Sequence, residues 1–140
     1  MADVFTKAKR SDVMSCIRSH GNRDTELRMA ALLRKHRLAG WRRNRRVTGK
    51  PDFVWPRERL ALFVDGCFWH GCPRCYRRPT SNQAYWDAKV SRNCRRDREV
   101  SRLLRKEGWR VVRIWEHDLA NRGGVSIPRI KAALRHLYNR

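Results

Sequence analysis

The sequence predicts an α/β fold, with a central sheet flanked by helices and a metal-bound loop at one end of it. Three observations predict it. Short apolar runs of strand type occur at 52–55, 60–64 and 109–115. Stretches with helical periodicity occur at 25–37, at 82–107 and from Ser126 onward. Between the second strand and the long helix, Cys67, Phe68, Trp69, His70, Cys72 and Cys75 are crowded into one short stretch. A chain of 140 residues is long enough for a real core, and one domain over 1–140 is expected, its first 20 residues forming a mobile arm and a short helix.

The composition narrows the partners. Thirty-four Lys and Arg against 13 Asp and Glu give a net charge of +21, which favours a polyanion, with nucleic acid first. A ribosomal or histone-like binder without chemistry shares that charge. A basic membrane-surface protein ranks lower, because there is no long apolar run for a span, no amphipathic lipid-facing helix with Trp or Phe in phase and no lipidation signal. Met1-Ala2-Asp3-Val4-Phe5 lacks the apolar core of a signal peptide, so a cytoplasmic address is expected. In a reducing compartment, five cysteines with three in one loop read as metal ligands before disulfides.

Taken in order, Ser11 can cap a short helix carrying Val13, Met14 and Ile17, which His20-Gly21-Asn22 breaks. Asp24 caps the next helix, with Leu27, Ala31 and Leu33 or Leu38 available for burial. Glu26 falls in its first turn, where interaction with the helix dipole alone would explain it. Gly40 ends this helix, and Trp41-Arg42-Arg43-Asn44-Arg45-Arg46 is a basic, extended segment suited to phosphates or to solvent. After the turn Thr48-Gly49-Lys50-Pro51, the strands at 52–55 and 60–64 are joined by the charged turn Arg57-Glu58-Arg59, which is hairpin spacing. The hairpin brings Asp52 close to Val64 and Asp65.

The helix at 82–107 has an apolar stripe of Trp86, Val90, Val100 and Leu104, interrupted at helical spacing by Asn93 and Asp97. Polar residues on a core-facing stripe need partners, so these two are either capped by buried hydrogen bonds or turned toward a site. The strand at 109–115 is expected at or near the sheet centre, with Glu116 and His117 at its end. Ser126 caps the last helix, which carries Ile127, Ile130, Leu134 and Leu137, and Pro128 fits its first turn.

The chemistry begins with the cysteines. Cys67-x4-Cys72-x2-Cys75 offers three thiolates, and a structural zinc needs a fourth ligand, which His117 can donate. Such a closed site leaves no position for catalysis and would contribute on the order of 10 kcal/mol of linked folding energy. A redox pair at Cys72 and Cys75 is the rival reading, but its βαβ context is missing. Cys16 and Cys94 read as small buried hydrophobes.

Pro51-Asp52 on a hairpin strand is the layout of many metal-dependent nucleases. Asp52 offers a hard oxygen ligand suited to Mg²⁺, and the backbone carbonyl of Val64 offers another. His70 is then the candidate general base. Phe68 and Trp69 can cover the metal loop or wedge into a base stack, with Met14 as a second wedge.

These residues resemble the very-short-patch repair (Vsr) mismatch endonuclease family. The resemblance runs from Met14 to His117 and rests on Val64-Asp65-Gly66-Cys67-Phe68-Trp69-His70-Gly71-Cys72, Pro51-Asp52-Phe53, Trp115-Glu116 and Asn93-x3-Asp97-Arg98. It implies a restriction-endonuclease-like, PD-(D/E)XK-related core with a mixed sheet. It implies nicking of one DNA strand beside a T·G mismatch left by deamination of 5-methylcytosine, with Mg²⁺. By position, Asp52 and the Val64 carbonyl resemble the metal contacts and His70 the general base. Glu26 resembles a supporting acid, and Asp97 a partner of the catalytic group. Cys67, Cys72, Cys75 and His117 resemble the zinc set, and Phe68, Trp69, Trp86 and Met14 the intercalating wedge. The expected setting is a bacterial cytoplasm, near the nucleoid when acting, as a monomer, with mismatch-repair or methyltransferase partners possible. This sequence departs from the family pattern at Val64 and Asp65, where threonine and histidine are usual, and in the order of its zinc ligands. The alternatives are a related nicking endonuclease with another target and a zinc-stabilised DNA-binding protein without hydrolysis.

Overall fold

The computed structural model describes residues 22–43, 45–67 and 70–138. The expected N-terminal arm and short helix, with Met14 and Cys16, lie outside the described residues, as do Asn44, Phe68 and Trp69.

Three strands form one mixed sheet in the order β1-β2-β3. Strands β1 (Phe53–Trp55) and β2 (Leu60–Asp65) make the antiparallel hairpin that the spacing predicts, with Phe53 opposite Leu62 and Trp55 opposite Leu60. Strand β3 (Arg110–Trp115) runs parallel to β2, with Phe63 opposite Arg113 and Asp65 opposite Trp115. The central strand is therefore β2, and β3 is an edge strand among the described residues. The mixed alternation of 109–115 predicts that strand at or near the centre; β2 takes the centre instead, with five of its six residues buried. Arg42 adds a single antiparallel bridge to Val54 on the outer side of β1, so the basic segment is extended as expected. Trp41 departs from the expectation: it turns inward, edge-on to Phe53 at 5.3 Å between ring centroids.

Each face of the sheet is covered. Helix α1 (Asn22–Lys35) and helix α3 (Ser126–Tyr138) pack on one face through Met29, Ala30, Leu33, Ile127, Ile130 and Ala133, against Phe53, Leu60, Leu62, Val112 and Ile114. In α1 the buried stripe is Met29, Ala30 and Leu33, whereas Leu27 is half exposed and Ala31 is exposed. The expected face of α1 thus holds at Leu33 and fails at Leu27 and Ala31, because a helix with several adjacent apolar residues admits more than one phase. The expected cap at Ser126 is not made, since its Oγ is buried without a hydrogen-bond partner.

Helix α2 (Gln83–Lys106) covers the other face through Val100 and Leu104, against Ala61, Phe63, Trp109 and Val111. Its ends match the sequence reading to within a residue: Asn82 is the N-cap and Glu107 the C-cap. A 3₁₀ turn, Glu116–Leu119, follows β3 directly and carries His117 back toward the cysteine loop. Gly49 is required where the loop before β1 meets α2. Its φ is +76°, and a Cβ there would lie 2.1 Å from Val100 Cγ1.

Candidate active site

The hairpin register builds the first part of the site. Residues 60, 62 and 64 of β2 turn their backbone groups toward β1, and continuing the register places Pro51 opposite Val64. Proline has no N–H to give, so the ladder stops there. The Val64 N–H donates instead to Asp52 Oδ2 at 2.7 Å. Its carbonyl lies on the same side with no ladder donor facing it, which leaves it available to a cation.

Asp52 is held up to about 7, first by burial and then by the neighbouring Glu26 carboxyl, with the Val64 N–H pulling the other way. A buried carboxyl beside a second carboxyl and a backbone carbonyl is short of positive charge. That donor set, all hard oxygen, fits Mg²⁺. Glu26 itself is paired with Arg43 at 2.6 Å, so the salt bridge rather than the helix terminus explains its position.

The second part is a polar network at the same end of β2, on the side of Asp65. His70 Nδ1 hydrogen-bonds Asp97 Oδ2 and lies 3.8 Å from Asp65 Oδ1. The polar gap in the α2 stripe is thereby resolved at Asp97, which turns toward the site. Burial pushes the His70 imidazole down, but the Asp97 hydrogen bond and the Asp65 charge outweigh it and leave the pKa raised. With Nδ1 engaged, Nε2 is the nitrogen left to take a proton from water. Glu26, Asp52, Val64, Asp65, His70 and Asp97 line one open cavity of about 420 Å³, together with Lys50, Arg96 and Arg113. Lys50 and Arg96 are cations suited to phosphate, whereas the Arg113 guanidinium is taken up by Asp65, Asp97 and Ser101; sequence reading did not single out Lys50 or Arg113. Their only signal in the sequence was general basicity.

The four side chains expected as zinc ligands come together. His117 Nδ1 stands 3.4 Å from Cys67 Sγ, 3.5 Å from Cys72 Sγ and 3.2 Å from Cys75 Sγ. Tetrahedral zinc with ordinary bond lengths would separate sulfur from nitrogen by about 3.6 Å, so the four atoms fit around one ion. His117 Nε2 contacts Asp118 Oδ1 at 3.2 Å, the carboxylate support that orients a ligating imidazole. Burial pushes the Cys67 thiol up to about 12, and the two neighbouring thiols add to it. Three thiols this close give up their protons together only to a bound cation. Cys94 stays outside the set: it is half-buried and its Sγ donates to the His70 backbone carbonyl at 3.2 Å. Trp86 lies on the first turn of α2, half-buried and 5.2 Å from the exposed Tyr85 ring. The other expected wedge residues, Phe68, Trp69 and Met14, lie outside the described residues.

The sequence is similar to those of known proteins. The family model described as DNA mismatch endonuclease Vsr matches residues 2–77, which include Glu26, Asp52, Val64, His70 and the three loop cysteines. The DNA mismatch endonuclease Vsr of Escherichia coli (strain K12) is 40% identical over 126 residues, covering 87% of this chain and 78% of that one. The type II nicking enzyme V.NmeDIP of Neisseria meningitidis serogroup C is 34% identical over 135 residues, 95% of this chain and 90% of that one. The type II nicking enzyme V.NaeI of Lentzea aerocolonigenes is 52% identical over 72 residues, 51% of this chain and 43% of that longer relative.

Proposed function

The chain belongs to the family of the DNA mismatch endonuclease Vsr and is a DNA endonuclease, and from that premise we propose that it nicks one strand beside a T·G mismatch by Mg²⁺-dependent hydrolysis. The whole chain, 1–140, would act as one domain on a restriction-endonuclease-like core. The observation that carries this reading is the meeting, in one cavity, of the Asp52–Val64 corner and the His70–Asp97 pair.

The residues divide the work. Asp52 and the Val64 carbonyl would hold Mg²⁺, with Glu26 supporting Asp52. Bound there, the ion supplies positive charge to the phosphate as its charge develops. Asp97 holds His70 Nδ1, and Nε2 accepts the proton of the attacking water. Lys50 and Arg96 bind the phosphate backbone at the cavity mouth. Cys67, Cys72, Cys75 and His117 would hold zinc, whose closed ligand set fixes the loop that carries His70. Phe68, Trp69, Trp86 and Met14 are the proposed wedge, which enters at lower cost where pairing is already weak. The net charge of +21 supports duplex DNA as substrate, and no helix among the described residues is long and apolar enough to cross a membrane.

The relatives named type II nicking enzymes favour a second reading, a nicking endonuclease with another mismatch or sequence target. Both readings are tested by one assay: nicking of duplexes that carry each mismatch in varied flanks, with Mg²⁺. Preferential nicking of T·G over T·A and C·G supports the first. Equal or greater nicking of another target overturns it in favour of the second. No nick on any duplex, with Mg²⁺ or Mn²⁺, would leave a zinc-stabilised DNA-binding protein.

A further inference from the structure

Asp65, His70 and Asp97 gather their ligand atoms within 4.8 Å of one another, which looks at first like a second metal site. Its cation is already present, and it is a side chain. Arg113 Nη1 donates to both Asp65 oxygens, at 3.1 and 3.2 Å, and stands 3.8 Å from Asp97 Oδ1. Arg113 Nη2 donates to the Asp97 backbone carbonyl at 3.1 Å, and Nε donates to Ser101 Oγ at 2.9 Å. The guanidinium also lies over the Phe63 ring at 4.1 Å from its centroid. Each nitrogen of the fork therefore has a partner, on two elements, β2 and α2.

The setting makes this arrangement informative. Phe63, Asp65 and Arg113 share the sheet face that α2 covers, a face otherwise lined by Ala61, Val100, Leu104 and Val111. An ion pair on such a face is not explained by stability, because apolar residues of similar size would usually serve as well or better. A forked cation with fixed donor directions supplies geometry instead. Among the described residues, the other contacts of helix α2 with this face of β2 are the apolar ones of Val100 and Leu104, which are less directional than a hydrogen-bonded fork. Arg113 grips the helix at a carbonyl and a hydroxyl four residues apart and grips β2 at Asp65.

We propose that Asp65 and Arg113 are positioning residues of the nicking centre: together they lock helix α2 to the end of β2, and so place Asp97 against His70. The inference rests on the reading that His70 and Asp97 activate water. In this reading neither Asp65 nor Arg113 takes the proton of the water or holds the metal. They act through Asp97, whose backbone carbonyl Arg113 holds, and Asp65 holds Arg113 in turn.

The test uses the full-length protein and a mismatched duplex that it nicks. Maximal single-turnover rate, half-saturating duplex concentration and Tm are measured for wild type, Asp65→Asn, Arg113→Lys, Arg113→Met, Asp65→Asn/Arg113→Met and His70→Ala. Misplacing a catalytic group costs rate rather than binding, so Arg113→Met is expected to lose about tenfold to a hundredfold in maximal rate, with half-saturation moving less than about threefold. Arg113→Lys keeps the charge without the fork and is expected not to restore the rate. Two residues that act as a unit give a double variant no slower than Arg113→Met alone. If Arg113→Met fails to fold, Arg113→Lys and Asp65→Asn carry the same comparison. Wild-type rates in Arg113→Lys and Asp65→Asn, with His70→Ala inactive, overturn the inference and leave the functional reading standing. A wild-type rate in His70→Ala overturns the functional reading itself.

Discussion

The backbone N–H of Val64 donates to Asp52 Oδ2 at 2.7 Å, across the point where Pro51 ends the hairpin ladder. This hydrogen bond aims the carboxylate before any cation arrives. It also leaves a buried acid whose proton affinity is set by the fold: burial and the Glu26 carboxyl raise Asp52 from 3.8 to about 7. Both effects favour the neutral acid in the folded chain. The charged form becomes comfortable only when positive charge enters the corner.

The first prediction follows from that proton. A carboxyl raised in the folded state binds its proton more tightly there than in the unfolded chain. Its contribution to stability is therefore full below 3.8 and is lost as pH rises through about 7. Zinc-loaded protein without Mg²⁺ should show a Tm that falls between about pH 4 and about pH 7 and then levels off. Asp52→Asn, which cannot ionise, should flatten that fall, and Mg²⁺ should raise Tm at pH 8 in wild type but not in the variant. Calorimetry at several pH values checks this. An Asp52→Asn profile parallel to wild type would remove Asp52 from the account.

A second prediction concerns rate. His70 must be neutral to accept a proton, and its pKa is raised because Asp97 and Asp65 together outweigh burial. At saturating Mg²⁺, which keeps Asp52 ionised, the single-turnover nicking rate should climb with pH and level off only above the ordinary imidazole value of about 6.5. Asp97→Asn should move the rise to lower pH and reduce the plateau. A rise centred at or below the ordinary value in wild type would contradict the assignment of His70 as base.

The third prediction separates the zinc from the chemistry. Purified protein should hold about one zinc per chain, and Cys75→Ser should lower both the zinc content and Tm. Asp118 supports His117 from Nε2 at 3.2 Å, so Asp118→Asn should weaken zinc binding by roughly tenfold to a hundredfold while leaving all four ligands in place. Competition with a coloured chelator reads that change. Full zinc affinity in Asp118→Asn would show that the imidazole is oriented by something else.

Sequence reading reached the hairpin, the α2 bounds and the zinc set because each leaves a local mark. The marks are turn residues between two apolar runs, a glycine after a long periodic stretch, and cysteines at ligand spacing. It also found Asp97, because a polar residue on an apolar stripe demands a partner. It missed the Arg113 fork, since an arginine in β3 is indistinguishable by pattern from the other basic residues. Its meaning depends on a parallel register that brings it beside Asp65 from 48 positions away. The phase of α1 was misread at Leu27 and Ala31 for a related reason. Leu27, Met29, Ala30, Ala31, Leu32 and Leu33 allow more than one apolar face, and only the packing of α3 and β2 selects the stripe of Met29, Ala30 and Leu33.

The last prediction tests how the loop that delivers Lys50 and Asp52 is held. Gly49 has φ +76°, and a Cβ on it would meet Val100 Cγ1 at 2.1 Å. Gly49→Ala therefore faces both backbone strain and a collision with a half-buried residue of α2. It should cost about 2 kcal/mol or more in stability. Lys50, Asp52 and Val100 line the same cavity, so a loop pushed off Val100 displaces the metal corner. The nicking rate should then fall about tenfold or more. Val100→Ala removes the colliding methyl groups but leaves the φ strain and opens a small void. The double variant should thus lose less stability than the sum of the two single losses, and recover part of the rate lost in Gly49→Ala. Strict additivity in Tm and rate would mean that the loop does not lean on α2, and that Asp52 is placed by the hairpin alone.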